Sequence, residues 1–166
     1  MNKLKTIIFA LLLTNLGLIL SPSIFSKNKS DKMQTAKQNE MKKDQHYINA
    51  VDSYIRNLNE KNLEGILNLF ADNATVEDPV GSNIVKGKDA LRQFYAGAVT
   101  IDLLLTRTGP VRIAGVEVAF PFQLQMEVED TTMITDIIDV FRFDEEGKIV
   151  SMRAFWGESN RRVASE

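Results

Sequence analysis

Asp139 stands in a run in which Thr135, Ile137, Asp139, Phe141 and Phe143 share one face of an alternating pattern. An aspartate set between Ile137 and Phe141 at two-residue spacing is either buried and protonated, or turned off that face by a bulge. If buried, its neutral carboxyl becomes a hydrogen-bond donor, because desolvation disfavours the anion. Tyr54 belongs to the stripe Tyr47, Ile48, Val51, Tyr54, Ile55 and Leu58, which recurs at three- and four-residue spacing. It is either a core aromatic or a working donor, and a buried hydroxyl needs a partner in both cases. Asp78 precedes Pro79, whose ring restricts the preceding residue to extended backbone.

Other chemistries are closed off by composition. The sequence has no cysteine, which removes disulfides, thiol nucleophiles and thiolate metal sites. Its single histidine, His46, lies near the start of the first helical pattern and reads as a solvated surface residue, which rules out a multi-histidine metal site and argues against a histidine-activated serine. Residues 1–43 hold 8 Lys and 2 acidic residues, a formal charge of +6, whereas residues 44–166 hold 12 basic and 20 acidic ones, a charge of −8. An acidic domain without interleaved basic and aromatic residues disfavours nucleic acid as a partner.

The elements that must position the three side chains can be read from periodicity. The spacing predicts a helix over 45–58, a short second one over 63–70 ended by Asp72-Asn73, and a third over 88–95 between Gly87 and Gly97. After Thr100 the pattern alternates, with turn signals at Gly109-Pro110, Gly115, Glu129-Asp130 and Glu145-Glu146-Gly147. This predicts an antiparallel meander. In one of its strands Phe120, Phe122, Leu124, Met126 and Val128 share a face opposite Gln123, Gln125 and Glu127. Pro121 lacks a ladder donor there and predicts an edge strand or a local bulge.

Three helices before a long meander is the order of the α+β, cone-shaped fold of the nuclear transport factor 2-like, or SnoaL-like, superfamily, in which helices pack in a curved, mostly antiparallel sheet around an apolar pocket. The runs Val76-Glu77-Asp78-Pro79-Val80-Gly81-Ser82, Phe94-Tyr95, Ile138-Asp139-Val140-Phe141-Arg142-Phe143 and Ser151-Met152-Arg153-Ala154 closely resemble the bacterial ketosteroid isomerases, the steroid delta-isomerases, in wording and spacing. The resemblance spans roughly residues 45–160. Val140 and Pro121 depart from the usual wording of that family.

The resemblance implies a base at Asp78 and an oxyanion hole made of Tyr54 and Asp139. It further implies a supporting tyrosine at Tyr95 and pocket-lining residues at Phe120, Met126 and Trp156. It implies a small hydrophobic ketone as substrate, no metal or organic cofactor, and a homodimer. Two other expectations on the same scaffold are a different enzyme, of polyketide-cyclase or epoxide-hydrolase type, the latter disfavoured because no Asp, Arg and Asn set stands among the pocket residues, and a noncatalytic module for hydrophobic ligands. The ionisable Asp78 and Asp139 argue against the noncatalytic module.

The chain around this domain, 44–166, divides into two further pieces. Residues 1–26 carry Lys3 and Lys5, an apolar run over 7–20 and then small residues including Ser21, Ser23 and Ser26, which reads as a secretory signal peptide. Residues 27–43 are polar and read as a linker. An apolar run of 14 residues is short of the roughly 20 that span a bilayer, which favours cleavage and an exported, periplasmic or secreted, product over an uncleaved membrane anchor. Fractionation of producing cells is therefore expected to recover a shortened chain outside the cytoplasm. Recovery of the full-length chain in the cytosol would refute export.

Overall fold

The computed structural model describes residues 22–129 and 131–164, with side chains from Lys29 onward. The apolar run of the expected signal peptide lies outside the described residues. Among the described residues no helix is long and apolar enough to cross a membrane. Contacts divide the chain into a unit ending at Asn39 and a second one over 40–166.

Helix α1 runs over Pro22–Asn59, so the polar stretch 27–43 is helical rather than irregular. Its side chains over 29–43 are all exposed, and they add nothing to a core. From Tyr47 onward the helix becomes one-sided. Tyr47, Val51, Tyr54 and Leu58 are buried at helical spacing, as the sequence pattern predicts, while Ile48 and Ile55 on the same stripe are half-buried and Ala50 joins the buried face. Helix α2 is short, Leu63–Leu67, with Asn62 capping it by accepting the Gly65 N–H at 3.0 Å. Helix α3 covers Lys88–Ala98 and buries Leu91 and Tyr95.

Eight strands among the described residues form one sheet: β1 Phe70–Glu77, β2 Val85–Lys86, β3 Leu103–Arg107, β4 Arg112–Ala114, β5 Glu117–Val128, β6 Thr131–Phe143, β7 Ile149–Phe155 and β8 Arg161–Val163. The order is β2-β1-β7-β6-β5-β3, with β4 also on β5 and β8 also on β6. All neighbours are antiparallel except β1 and β7, which run parallel.

Three sequence expectations need correction. Asp72 and Asn73 do not end a helix; they sit inside β1, where the register to β7 shifts between Phe70 and Thr75. That irregularity lets two consecutive polar residues stay exposed while Phe70, Ala74 and Val76 turn inward. Pro121 does not mark an edge strand, since β5 is paired on both sides. It falls in the gap between the β3 register, which ends at Phe122, and the β4 register, which begins at Ala119, so its missing N–H costs no ladder bond on that side. Gly109 in the intervening turn approaches so closely that a Cβ there would lie 2.9 Å from the Pro121 ring. Val128, placed by alternation on the core face, is 45% exposed at the tip of the β5–β6 hairpin, where it pairs with Thr131.

The core is aromatic. Phe141 on β6 packs edge-on against Tyr54 at 5.1 Å and Phe120 at 4.8 Å, and Tyr47 stacks on Phe143 at 4.1 Å. Fully burying one such ring contributes about 1.5–3 kcal/mol. The β6–β7 turn is tied to α1 by His46, whose Nε2–H donates to the Gly147 carbonyl at 2.9 Å. Gly147 has φ +79°, and a Cβ there would meet the His46 ring at 2.5 Å. Gly147→Ala should therefore lower stability by about 1–3 kcal/mol, from left-handed backbone strain and the displaced hydrogen bond. Urea denaturation checks this, and a midpoint equal to that of the parent chain would mean the turn relaxes freely.

Candidate active site

The parallel pairing of β1 with β7 sets the register Thr75↔Ser151, Val76↔Met152, Glu77↔Arg153. Asp78, one residue on, therefore stands level with Ala154, and the Val80 N–H donates to the Ala154 carbonyl at 2.8 Å. Ala154 in turn pairs with Asp139 on β6, and Asp139 pairs with Phe120 on β5. One row across four neighbouring strands thus reads Asp78, Ala154, Asp139, Phe120. Two strand spacings put the backbones of the two aspartates about 10 Å apart. Only the small side chain of Ala154 stands between them.

Asp139 has no solvent exposure, and neither carboxylate oxygen has a hydrogen-bond partner. Burial, and after it the nearby Asp78 charge, push its carboxyl well above the usual aspartate range. Of the two readings open from sequence, buried and protonated is the one the structure supports. β6 carries it inward without a bulge at that point, with Thr135, Ile137, Phe141 and Phe143 buried on the same face.

Asp78 is half-buried at the bend after β1. Burial pushes its carboxyl up, and a hydrogen bond from the Trp156 indole, Nε1–H to Oδ1 at 2.7 Å, pulls it back down. Tyr54, from α1, and Tyr95, from α3, are both almost wholly buried, with hydroxyls 3.4 Å apart, where either can donate to the other. Burial, before any neighbouring group, pushes both phenols well above the ordinary tyrosine value, so both stay protonated and able to donate.

Tyr54, Asp78, Tyr95 and Asp139 border one cavity of about 180 Å³ whose remaining wall is apolar, with Leu103 and Leu105 from β3, Phe122, Leu124 and Met126 from β5, and Phe94 from α3. Larger clefts of about 570 and 680 Å³ lie around the β6–β7 turn, but Glu145, Glu146 and Lys148 there are exposed to competing water.

The expected pocket residues separate under this geometry. Tyr95 and Met126 border the cavity. Phe120 does not: it lies wholly buried against Phe122 and Phe141, one layer behind the wall. Trp156 reaches the site through its bond to Asp78 rather than as a wall residue. Phe122 and Leu124 were not singled out, although they share the period-two face that carries Met126; alternation gives the face and not the depth. Among the described residues no group of three or more His, Asp or Glu side chains is arranged to hold a metal ion.

The orphaned Asp139 carboxyl has a consequence for stability. Above about pH 3.9 an unfolded aspartate releases its proton, while the folded chain keeps it, so stability falls as pH rises from there towards the raised folded value. Asp78 shifts in the same direction. Asp139→Asn lacks this titration, so its unfolding free energy should decline less than that of the parent chain between about pH 4 and 8. Groups elsewhere titrate identically in both proteins and cancel in the difference. Parallel curves from urea denaturation across that range would show that Asp139 ionises normally.

Known proteins share this arrangement of elements. The family model of the SnoaL-like domain matches residues 51–152. A steroid Delta-isomerase of Nocardioides simplex is 41% identical over 88 residues, which is 53% of this chain and 71% of that protein. The solved structure of SalBIII, an epoxide hydrolase/cyclase-like enzyme with a role in pyran ring formation in polyether salinomycin, superposes with a TM-score of 0.68 at 32% identity. It covers 73% of this chain and 98% of that one. The chain is thus a homologue of steroid delta-isomerase and belongs to the SnoaL-like family, on the nuclear transport factor 2-like fold.

Proposed function

We propose that this chain is a steroid delta-isomerase-type enzyme, moving a C=C bond from β,γ to α,β conjugation in a 3-oxo-Δ5-steroid or a similar hydrophobic ketone through a dienolate. The observation that carries this reading is the unlike pair of carboxyl groups on one cavity. Asp139 is fully buried without a donor, whereas Asp78 is half-buried and accepts an indole N–H. Two acids in such different surroundings lose their protons at different pH, and the first to ionise is Asp78.

The chemistry follows from that order. Ionised Asp78 takes the acidic proton from the carbon between the carbonyl and the alkene, and the electron pair moves onto the carbonyl oxygen. Tyr54 and neutral Asp139 donate hydrogen bonds to the oxygen where this charge develops, and preorganised donors there lower the barrier most. The dienolate then takes the proton back from Asp78 at the far carbon, which restores the carboxylate and leaves the conjugated enone. The apolar wall excludes water and holds the rest of the substrate.

A cyclase-type reaction is the second reading, favoured by the likeness to SalBIII over nearly all of that chain. Here the same base would act on an O–H, and ketosteroids would not turn over.

Incubating the purified chain with a Δ5-3-ketosteroid should produce a growing conjugated-enone absorbance; a flat trace would overturn the isomerase reading. Asp78→Asn should reduce turnover by about 1,000-fold or more while binding of a dienolate-mimicking phenol persists. Asp139→Ala should cost about 100- to 1,000-fold. Asp139→Asn, which keeps a donor of similar shape, should retain clearly more activity than Asp139→Ala. Equal, parent-like rates for the two would remove Asp139 from the oxyanion hole.

A further inference from the structure

We propose that Arg161 is a positioning residue for Asp78, acting on it through the Trp156 ring; this rests on the reading of Asp78 as the base. The guanidinium carbon of Arg161 lies 4.6 Å from the centroid of the indole that donates to Asp78 Oδ1. Cation, aromatic ring and carboxylate form one continuous line of contact from the surface into the site.

The chain after β7 is shaped to make that contact. A single 3-10 turn over Glu158–Asn160 is closed from both sides, with the Gly157 N–H donating to Asn160 Oδ1 and the Asn160 N–H donating to the Gly157 carbonyl, each at 2.9 Å. β8 then pairs with β6 at Thr135↔Arg161, which returns Arg161 over the tryptophan it follows by five positions. Nothing in β8 enters the core, since Arg161, Arg162 and Val163 are all exposed. Its exposed ion pair, Arg161 Nη1 to Glu158 Oε1 at 2.9 Å, adds little to stability. The feature that stands out on this strand is the cation it lays on the indole.

A cation on the face of an aromatic ring draws electron density out of it, which makes the indole N–H a stronger donor and holds the ring plane in place. The recipient depends on that donor. Asp78 faces Trp156 beyond β7, Asp139 on β6, Tyr54 on α1 and Tyr95 on α3. The neighbouring Glu77 is turned away, accepting from Arg153 and the Gly81 N–H. Among the described residues the indole N–H is the one hydrogen-bond donor to the Asp78 carboxylate. Arg161 pairs with exposed Glu158 as Arg153 pairs with Glu77 and Arg162 with Asp136, but of the three guanidinium groups it alone lies on the Trp156 ring, Arg153 lying instead on the Phe155 ring. Arg161 therefore supplies the positive charge that sharpens the indole donor and keeps the base in its accepting form.

The test reads Asp78 directly, by an NMR titration of the full chain labelled with carboxyl-¹³C aspartate, the Asp78 signal being assigned by its loss in Asp78→Asn. Arg161→Gln should raise the Asp78 midpoint by roughly 0.3 pH unit or more. In a Trp156→Phe background, where no N–H remains to sharpen, the same Arg161→Gln change should move the midpoint by less than about 0.1 pH unit. An unchanged midpoint in Arg161→Gln alone would overturn the proposal. An equal rise in both backgrounds would overturn it as well, since the charge would then act without the ring. A residue with a merely structural role in β8 would move neither midpoint. The titration uses no substrate, so a chain that titrates as expected yet leaves a Δ5-3-ketosteroid unconverted would defeat the isomerase reading and leave this one standing.

Discussion

A carboxyl group without solvent and without a partner is the condition around which the rest of this domain is arranged. Both oxygens of Asp139 are sealed inside β6 and unbonded. A carboxylate in that position would carry an uncompensated charge in an apolar interior, a cost of several kcal/mol, so the group takes the neutral form instead. Even the neutral acid leaves polar atoms unsatisfied, and the surrounding structure has to absorb that loss. It does so with rings: Tyr54, at the cavity wall, joins Phe70, Phe120 and Phe141 in a connected aromatic cluster. Pairing on both sides of β6 keeps the acid from swinging out to water.

The second carboxyl has its different character because of one parallel strand pair. β1 lies alongside β7 in the same direction, so the end of β1 and the end of β7 reach the same rim of the sheet. Asp78 and Trp156, both just past those ends, meet there. An antiparallel pairing would have put them at opposite ends. Ala154 occupies the level between the two acids and is small enough to leave the cavity open above it. A bulky residue there would fill the space above both groups.

These dependences explain what could be read from sequence. Tyr54 and Asp139 were legible because each lies in a long regular element whose period shows which face is buried. Asp72 and Asn73 misled because two exposed polar residues in the middle of β1 break its alternation, and the irregularity that permits them depends on a partner 76 to 79 residues away in the chain. The helical character of 27–43 was hidden because its exposed side chains show no stripe. Phe120 was placed on the correct face and at the wrong depth, since alternation does not distinguish a cavity wall from the layer behind it. The contact from Trp156 to Asp78 had no local signature, because it exists only through strand pairing.

The same geometry constrains where a substrate's reacting atoms can lie. In the proposed reaction the donors and the base would come from different sides of the cavity: Tyr54 from a helix, Asp139 from the sheet interior and Asp78 from the sheet rim. A planar molecule lying along the row from Asp78 over Ala154 to Asp139 would present one end to the donors and, a few bonds away, a carbon to the base. The rest of it would extend over Leu103, Phe122 and Met126, which offer contact area and no hydrogen bonds. Such a wall fixes an apolar body loosely and leaves orientation to the polar end, so discrimination among hydrophobic ligands of similar shape would rest on the carbonyl or hydroxyl presented to Tyr54 and Asp139. In the proposed reaction the wall would select for apolarity and size and the two acids for chemistry, so that the fold alone would not fix which bond is acted on.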